Sequence, residues 1–437
     1  MDTIVALSSG RLPAGVAVIR ISGPAARFVV ETICGALPRP RTAAYRAMKA
    51  RDGTVLDSGF VLYFPGPNSF TGEDVAEFHI HGGRAVVAAM LAELTSVDGV
   101  RHAEPGEFTR RAFLNGKLDL TETEALADLI AAETEAQRRF AVQNAAGAQR
   151  ELYQGWRQRL VHARAMVEAD IDFSDEEDVP GSVADAAWEE TRAVMAEIVD
   201  HIEGYRAAEI IRDGFDVVIL GAPNSGKSSL FNALARREAA IVTGEAGTTR
   251  DLLEVALDIG GVRVRLSDTA GIREEAGVVE TIGIARALER SSTADLVLML
   301  EDMHAPVPFD AGSSIAPRLR IGTKADLVSG ASRLGRSYDL TISVESGAGL
   351  GQLVAEIRRR AGEAIGSVGE VLPSRLRHVE LLRETTRHLA AASLEGSPLE
   401  LRGEALRVAS HSLGRIAGSV DVEDLLDVIF SQFCIGK

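Results

Sequence analysis

Two cysteines in 437 residues, Cys34 and Cys434, are too few and too far apart for a disulfide framework or a C-x-x-C metal pair. That thiol usage suits a reducing cytosol, so a cytoplasmic location is expected. No apolar run reaches the roughly 18 residues that a spanning helix needs, so no membrane span is expected. Basic residues are outnumbered 47 to 63, and the net charge of −16 excludes a nucleic-acid surface spread over the whole chain. A local basic patch or a basic partner is still compatible with RNA contact. Residues Met1-Asp2-Thr3-Ile4-Val5 carry no basic n-region and open no long apolar stretch, so no signal peptide is expected. Internal repeats and low-complexity tracts are also missing. This length predicts two or three domains.

What is present centres on residues 215–229. An apolar run, Val217 to Leu220, stops at Gly221; Gly-Ala-Pro-Asn-Ser-Gly-Lys-Ser follows, then a helical pattern through Leu230 and Leu234. Strand, G-x-x-x-x-G-K-S loop and helix in that order make a phosphate-binding P-loop. The glycines let backbone N–H groups face a phosphate, and the helix N-terminus adds its dipole. Lys227 would reach the β- and γ-phosphates, and the Ser228 hydroxyl would hold Mg²⁺.

The rest of the chain reads as mixed α/β, then helical, then α/β, then helical. Val16–Ile21, Gly59–Phe64 and Asp74–His81 predict strands, and Val86 to Leu94 a helix. Thr121 with Glu124 matches a capping box, opening one or two long helices to about Ile171. Six carboxylates between Asp170 and Asp178 fit no standard metal loop and read as a solvated acidic turn before a helix from Val183 to Ile211. The simplest architecture inserts a Ras-like P-loop domain (213–368) into a helical domain (119–212 and 369–437), behind an α/β domain (1–118).

Further along, two adjacent threonines in Thr243-Gly244-Glu245-Ala246-Gly247-Thr248-Thr249 suit a switch loop, with Thr249 completing the Mg²⁺ shell. Asp268-Thr269-Ala270-Gly271 ends a strand; the Asp can hold Mg²⁺ through water and the Gly N–H can sense the γ-phosphate. In Thr323-Lys324-Ala325-Asp326 the Asp326 carboxylate would accept two N–H bonds from guanine, which adenine cannot offer. The usual pattern is N-K-x-D; Thr323 replaces its asparagine, weakening or replacing that contact. Ser343-Val344-Glu345 would give a backbone N–H to the guanine oxygen. With Asn224, Ser225, Gly226 and Ser229 of the P-loop, these complete the expected nucleotide site of a GTPase, with ATP use the lesser alternative. Ile272 stands where many GTPases place the glutamine that orients water. Glu280 is a candidate for that task, beside the plainer reading of a solvent-facing helix glutamate.

These residues, with Pro65–Asp74, His81-Gly82-Gly83, Pro105–Thr109, Arg111–Leu120, Gly247–Asp251 and the closing Phe433-Cys434-Ile435-Gly436-Lys437, resemble the bacterial tRNA-modifying GTPase family MnmE (TrmE) essentially end to end. The resemblance implies K⁺ in place of an arginine finger, held by Asn224, Thr243, Glu245 and Thr248, with Glu280 positioning water. It implies a folate-binding N-terminal domain that forms a homodimer, with Arg20, Glu77 and Lys117 at the 5-formyltetrahydrofolate. It further implies an FAD-dependent partner, MnmG (GidA), in a heterotetramer acting on tRNA. Cys434 would sit on a tail reaching the modification centre. Gly436 and Lys437 argue against prenylation of that cysteine. His79 and His81 share a strand face without a third ligand and read as hydrogen-bonding groups. A ribosome-assembly or regulatory switch GTPase, or a folate enzyme with a regulatory GTPase, would explain less of the chain.

Overall fold

The computed structural model describes residues 2–172, 183–237, 240–241, 253–268, 290–309, 316–328, 337–366, 369–418, 426, 429–430, 433 and 436. The chain divides into two compact units: Met1–Ala127 with Asn144–Arg192 and Arg387–Lys437, and Asp128–Gln143 with Ala193–Thr386.

The first unit opens with β1 (Thr3–Leu7), β2 (Ala14–Ser22), α1 (Ala26–Cys34), β3 (Ala44–Lys49), β4 (Val55–Phe64), β5 (Val75–Gly82), α2 (Arg84–Thr95), β6 (Val100–His102) and α3 (Glu107–Leu114). The six strands form one sheet in the order β3-β4-β5-β2-β1-β6, antiparallel except for β1 with β6. Alternation gives the sheet one apolar face, where Ile19, Ile21, Val61, Phe78 and Ile80 pack with Val29, Ile33, Met90 and Leu94 of α1 and α2. The opposite side chains include Arg20, Glu77 and His79, each half-buried.

Helices α4 (Leu120–Ala131), α5 (Glu135–Ala145) and α6 (Ala148–Asp172) follow. Three helices stand where one or two were expected, and the capping box lies two residues earlier than the sequence suggested. Asp119 Oδ1 accepts the Glu122 N–H at 2.8 Å, and Glu122 Oε2 accepts the Asp119 N–H at 2.7 Å. Aspartate caps more strongly than threonine, and Thr121 and Glu124 are buried within the helix instead. A second box, Thr134 with Gln137, starts α5: Gln137 Oε1 accepts the Thr134 N–H at 3.1 Å. The chain turns into α6 at Gly147, whose φ is +92°. Helices α7 (Val183–Glu203) and α8 (Tyr205–Asp213) replace one expected helix, parting at Gly204. The acidic segment's residues 173–182 lie outside the described set.

The second unit carries β7 (Phe215–Gly221), α9 (Lys227–Arg237), β8 (Ala240–Ile241), β9 (Leu253–Ile259), β10 (Val262–Asp268), β11 (Leu296–Asp302), β12 (Arg318–Thr323), β13 (Leu340–Thr341) and α10 (Leu350–Ile365). Its sheet runs β13-β12-β11-β7-β10-β9-β8, with β7 central and parallel to both β10 and β11. Val217 to Leu220 are each no more than 1% exposed, the mark of a strand covered on both faces. Strand β9 pairs antiparallel with β10. Helices α11 (Leu376–Ala392) and α12 (Leu399–Ile416) follow. In the first unit α12 packs along α6, as expected of the helical segments on either side of the nucleotide domain. Arg402 lies 3.5 Å over the Trp188 ring.

Candidate functional site

In an open parallel sheet, ligands gather at the carboxyl ends of the strands, where neighbouring connections diverge. Here Gly221, Asp268, Asp302 and Thr323 end β7, β10, β11 and β12. A β-carbon at Gly221 would lie 2.5 Å from Leu300 O, so only glycine lets β7 hand over to the loop there. The loop then uses left-handed backbone at Asn224 (φ +61°) and Gly226 (φ +93°). Lys227 Nζ donates to Gly221 O and Ala222 O, both at 2.9 Å, which folds the ammonium over the loop. Asn224, Ser228 and Ser229 are exposed, while Ser225 is 2% exposed and its Oγ has no hydrogen-bond partner among the described residues. Leu230, Phe231 and Leu234 bury the other face of α9 and fix its N-terminus at the loop.

At the next strand ends, Lys324 (φ +55°) turns the chain out of β12 and places Nζ 2.6 Å from Asp302 Oδ2. Asp302 Oδ1 also accepts the N–H groups of His304 and Ala305, at 2.9 and 3.2 Å. Burial pushes this carboxyl up, but the Lys324 ammonium and the two amides outweigh it and hold it below the usual carboxylate range. Asp326 is exposed in a short 3-10 turn, Ala325–Leu327. Ser343 is 1% exposed; its N–H donates to Ala348 O at 2.9 Å and its Oγ accepts the Ser346 N–H at 3.1 Å. Its own amide is therefore spent on shaping the turn. Thr243, Gly244, Glu245, Ala246, Gly247, Thr248, Thr249, Thr269, Ala270, Gly271, Ile272, Glu280 and Cys434, with the side chain of Asp268, lie outside the described residues.

On the sheet of the first unit, Arg20 and Glu77 are cross-strand partners. Arg20 Nε and Nη2 both donate to Glu77 Oε1, at 3.0 and 2.9 Å. The guanidinium lies 5.5 Å from the Phe70 ring centroid and 5.8 Å from that of Phe108. Lys117 is exposed just beyond α3, its N–H held by Ala112 O at 2.8 Å. Arg111 ties this turn to its surroundings through Glu73 (3.1 Å), Glu107 (3.0 Å) and Asp2 (2.8 Å). His81 Nδ1 meets Asp57 Oδ1 at 2.8 Å, and His79 Nε2 lies 3.4 Å from Glu77 Oε2. The tail's Gly436 packs so closely on β1 that a β-carbon would lie 2.1 Å from Leu7 O, and Ser8 Oγ donates to Gly436 O at 2.7 Å. Sequence reasoning missed Phe70, Phe108, Asp302 and the Arg111 network. Only the alternation of β2 and β5 hinted that Arg20 and Glu77 share a face.

A parallel sheet with a P-loop strand at its centre, one antiparallel strand β9 and a lysine cradled in the loop defines a nucleoside triphosphate-binding protein of the P-loop class. The G domain of the FeoB iron transporter from T. maritima is 24% identical, covering 34% of this chain and 99% of that one, with a TM-score of 0.26. Aquifex aeolicus Era is 22% identical, covering 42% and 69%, with a TM-score of 0.28. Residues 3–117 match the family described as GTP-binding protein TrmE N-terminus, and residues 120–434 the MnmE helical domain. The tRNA modification GTPase MnmE of Mesorhizobium japonicum is 68% identical over 440 residues, covering 100% of this chain and 99% of the relative. That of Brucella anthropi is 57% identical, covering 100% and 98%. The chain belongs to the MnmE family of tRNA modification GTPases, and GTP hydrolysis is its enzymatic activity.

Proposed function

We propose that this GTPase works with an FAD-dependent MnmG-type partner to place a (carboxymethyl)aminomethyl group on carbon 5 of the tRNA wobble uridine, using a folate one-carbon unit. The observation that carries the reading is the presence, in one chain, of a P-loop edge and a separate charged face built on Arg20 and Glu77. Lys227 binds β- and γ-phosphate oxygens, and the exposed Ser228 hydroxyl takes Mg²⁺. Asn224, exposed at the mouth of the loop, offers a neutral oxygen suited to K⁺, and a bound K⁺ would offset charge developing between the phosphates. Thr243, Glu245 and Thr248 complete that ion's shell, Thr249 and Asp268 the Mg²⁺ shell, and Glu280 positions water. Lys324 and Asp326 take guanine.

On the other face, the paired Glu77 carboxylate accepts the N–H groups of a pterin. Arg20 is already bonded to it, which leaves the exposed Lys117 for the folate carboxylates. Tyr45, Phe60 and Val16 of the same sheet are 62%, 50% and 59% exposed, which supports a second copy of the chain as a partner. Residues 1–118, 119–212 with 369–437, and 213–368 are read as the folate, helical and GTPase domains. No described helix is long and apolar enough to cross a membrane, in keeping with work on cytoplasmic tRNA.

Mass spectrometry of tRNA nucleosides from cells lacking the protein tests the reading. Loss of the wobble substituent is expected, and unchanged uridine modification would sink it. GTP turnover in KCl should exceed that in NaCl by at least about tenfold; equal rates would remove the potassium role.

A further inference from the structure

Thr323 occupies the asparagine position of the base-recognition pattern, and its surroundings give it a task of its own. The residue is 4% exposed. Its Oγ1 lies 2.8 Å from Ser225 O in the P-loop and 3.1 Å from Glu301 O on β11. A β-carbon placed on Gly226 would meet Thr323 Cβ and Oγ1 at 3.8 Å and Cγ2 at 3.9 Å, so the side chain also walls the loop by ordinary contact.

We propose that Thr323 is a positioning residue that sets how tightly the phosphates are held and takes no part in choosing the base. A trans peptide is planar, with its C=O and N–H pointing opposite ways. Fixing Ser225 O against Thr323 therefore aims the Gly226 N–H away from β12 and into the phosphate cradle. Gly226, left-handed at φ +93°, would otherwise leave that plane free to flip. An asparagine amide has two N–H donors and a carbonyl, enough for both carbonyls and a base. A threonine hydroxyl has one hydrogen, shared here between two carbonyls, and so no donor left for a base. The statement about the base rests on the reading that Lys324 and Asp326 select guanine.

Thr323→Val keeps the shape and removes the donor. It is expected to weaken GDP and IDP by the same factor, about tenfold, measured by titration calorimetry on the full chain. The KM for GTP should rise by a similar factor with kcat within about threefold. Thr323→Ser, which keeps the hydroxyl, should restore affinity to within about threefold, a rescue that a space-filling role alone would not give. Thr323→Ala serves if the valine variant does not fold. Unchanged GDP affinity in a folded variant lacking the hydroxyl, or a GDP-to-IDP ratio shifted more than about threefold, would overturn the proposal. Asp326→Asn tests the base reading separately: if it leaves the GDP-to-IDP ratio untouched, that reading fails, while the Thr323 effect stands or falls on the equal loss.

Discussion

The carboxyl edge around Lys227 and the face around Arg20 handle charge in different ways. At the first, backbone does most of the work: Lys227 is held by two carbonyls, and Asp302 steadies the Lys324 turn through two amides and an ammonium. At the second, side chains hold one another, with Arg20 bonded to Glu77 between two aromatic rings. A backbone cradle presents the same N–H groups whatever the ligand's other end looks like, so it suits a phosphate common to all nucleotides. A cross-strand ion pair presents a directional carboxylate, so it suits one particular heterocycle. The sharpest way to break this contrast is Lys227→Ala. It should lower kcat/KM for GTP by more than about a hundredfold, while Arg20→Ala leaves GTP turnover within about twofold. Comparable GTPase losses in both variants would show that the two regions are not chemically separate.

The same contrast explains what could be read from the chain alone. The P-loop elements are contiguous, and each motif fixes its own local geometry, so strand, loop and helix were legible from Val217 to Leu234. Arg20 and Glu77 lie 57 positions apart, and only strand register brings them together; Phe70 and Phe108 reach them from a loop and a helix that no short-range pattern links. Thr134 with Gln137 carried a legible signal, a capping box, yet the Ala- and Glu-rich composition around it concealed the break. Strand β9, with Leu257 and Ile259 buried on either side of Asp258, carries an alternation too short to stand out in the sequence. The capping box at Asp119 shows the limit of pattern alone, since two overlapping boxes fit the sequence and burial of Thr121 chose between them.

Stability should also differ between the units. His201, in the second unit, is 9% exposed. Burial, reinforced by nearby His378 against a raising backbone contact at Val371, pushes its pKa down to about 4. Above about pH 6.5 the imidazole is neutral in both folded and unfolded chains, so its contribution to stability is fully present. As pH falls from 6.5 toward 4 the unfolded chain takes up the proton first, and up to roughly 3 kcal/mol is lost. Trp156 and Trp188 both belong to the first unit, so tryptophan fluorescence reports that unit, and hydrogen exchange on β7 and β11 reports the second. His201→Gln should flatten the pH dependence of exchange in β7 and β11; an unaltered slope would assign the acid sensitivity elsewhere.

Glu77→Ala comes next in size. It strips the half-buried Arg20 of its carboxylate and should cost about 1–3 kcal/mol in the first unit. Glu77→Gln, which retains an acceptor for Arg20, should cost less than half of that. Equal losses from the two substitutions would mean that the carboxylate's charge, and not its shape or acceptor oxygen, is what Arg20 needs.

The smallest effect belongs to the tail. Ser8→Ala removes the hydroxyl that Gly436 O accepts at 2.7 Å, a partly buried bond worth about 1 kcal/mol. Ser8 follows β1 directly, and Ala6 on that strand lies opposite Arg20 on β2. Gly436 is therefore held beside the strand that neighbours the Arg20–Glu77 pair, not at a remote end of the chain. A chain whose two regions work separately should respond in one of them only. Ser8→Ala is expected to speed hydrogen exchange at Phe433 and Gly436 by about fivefold, as that energy implies, and to lower tRNA modification while leaving GTP turnover unchanged. If GTP turnover falls in step with modification, the tail acts on both regions, and the division between the phosphate cradle and the Arg20–Glu77 face would have to be redrawn as one coupled system.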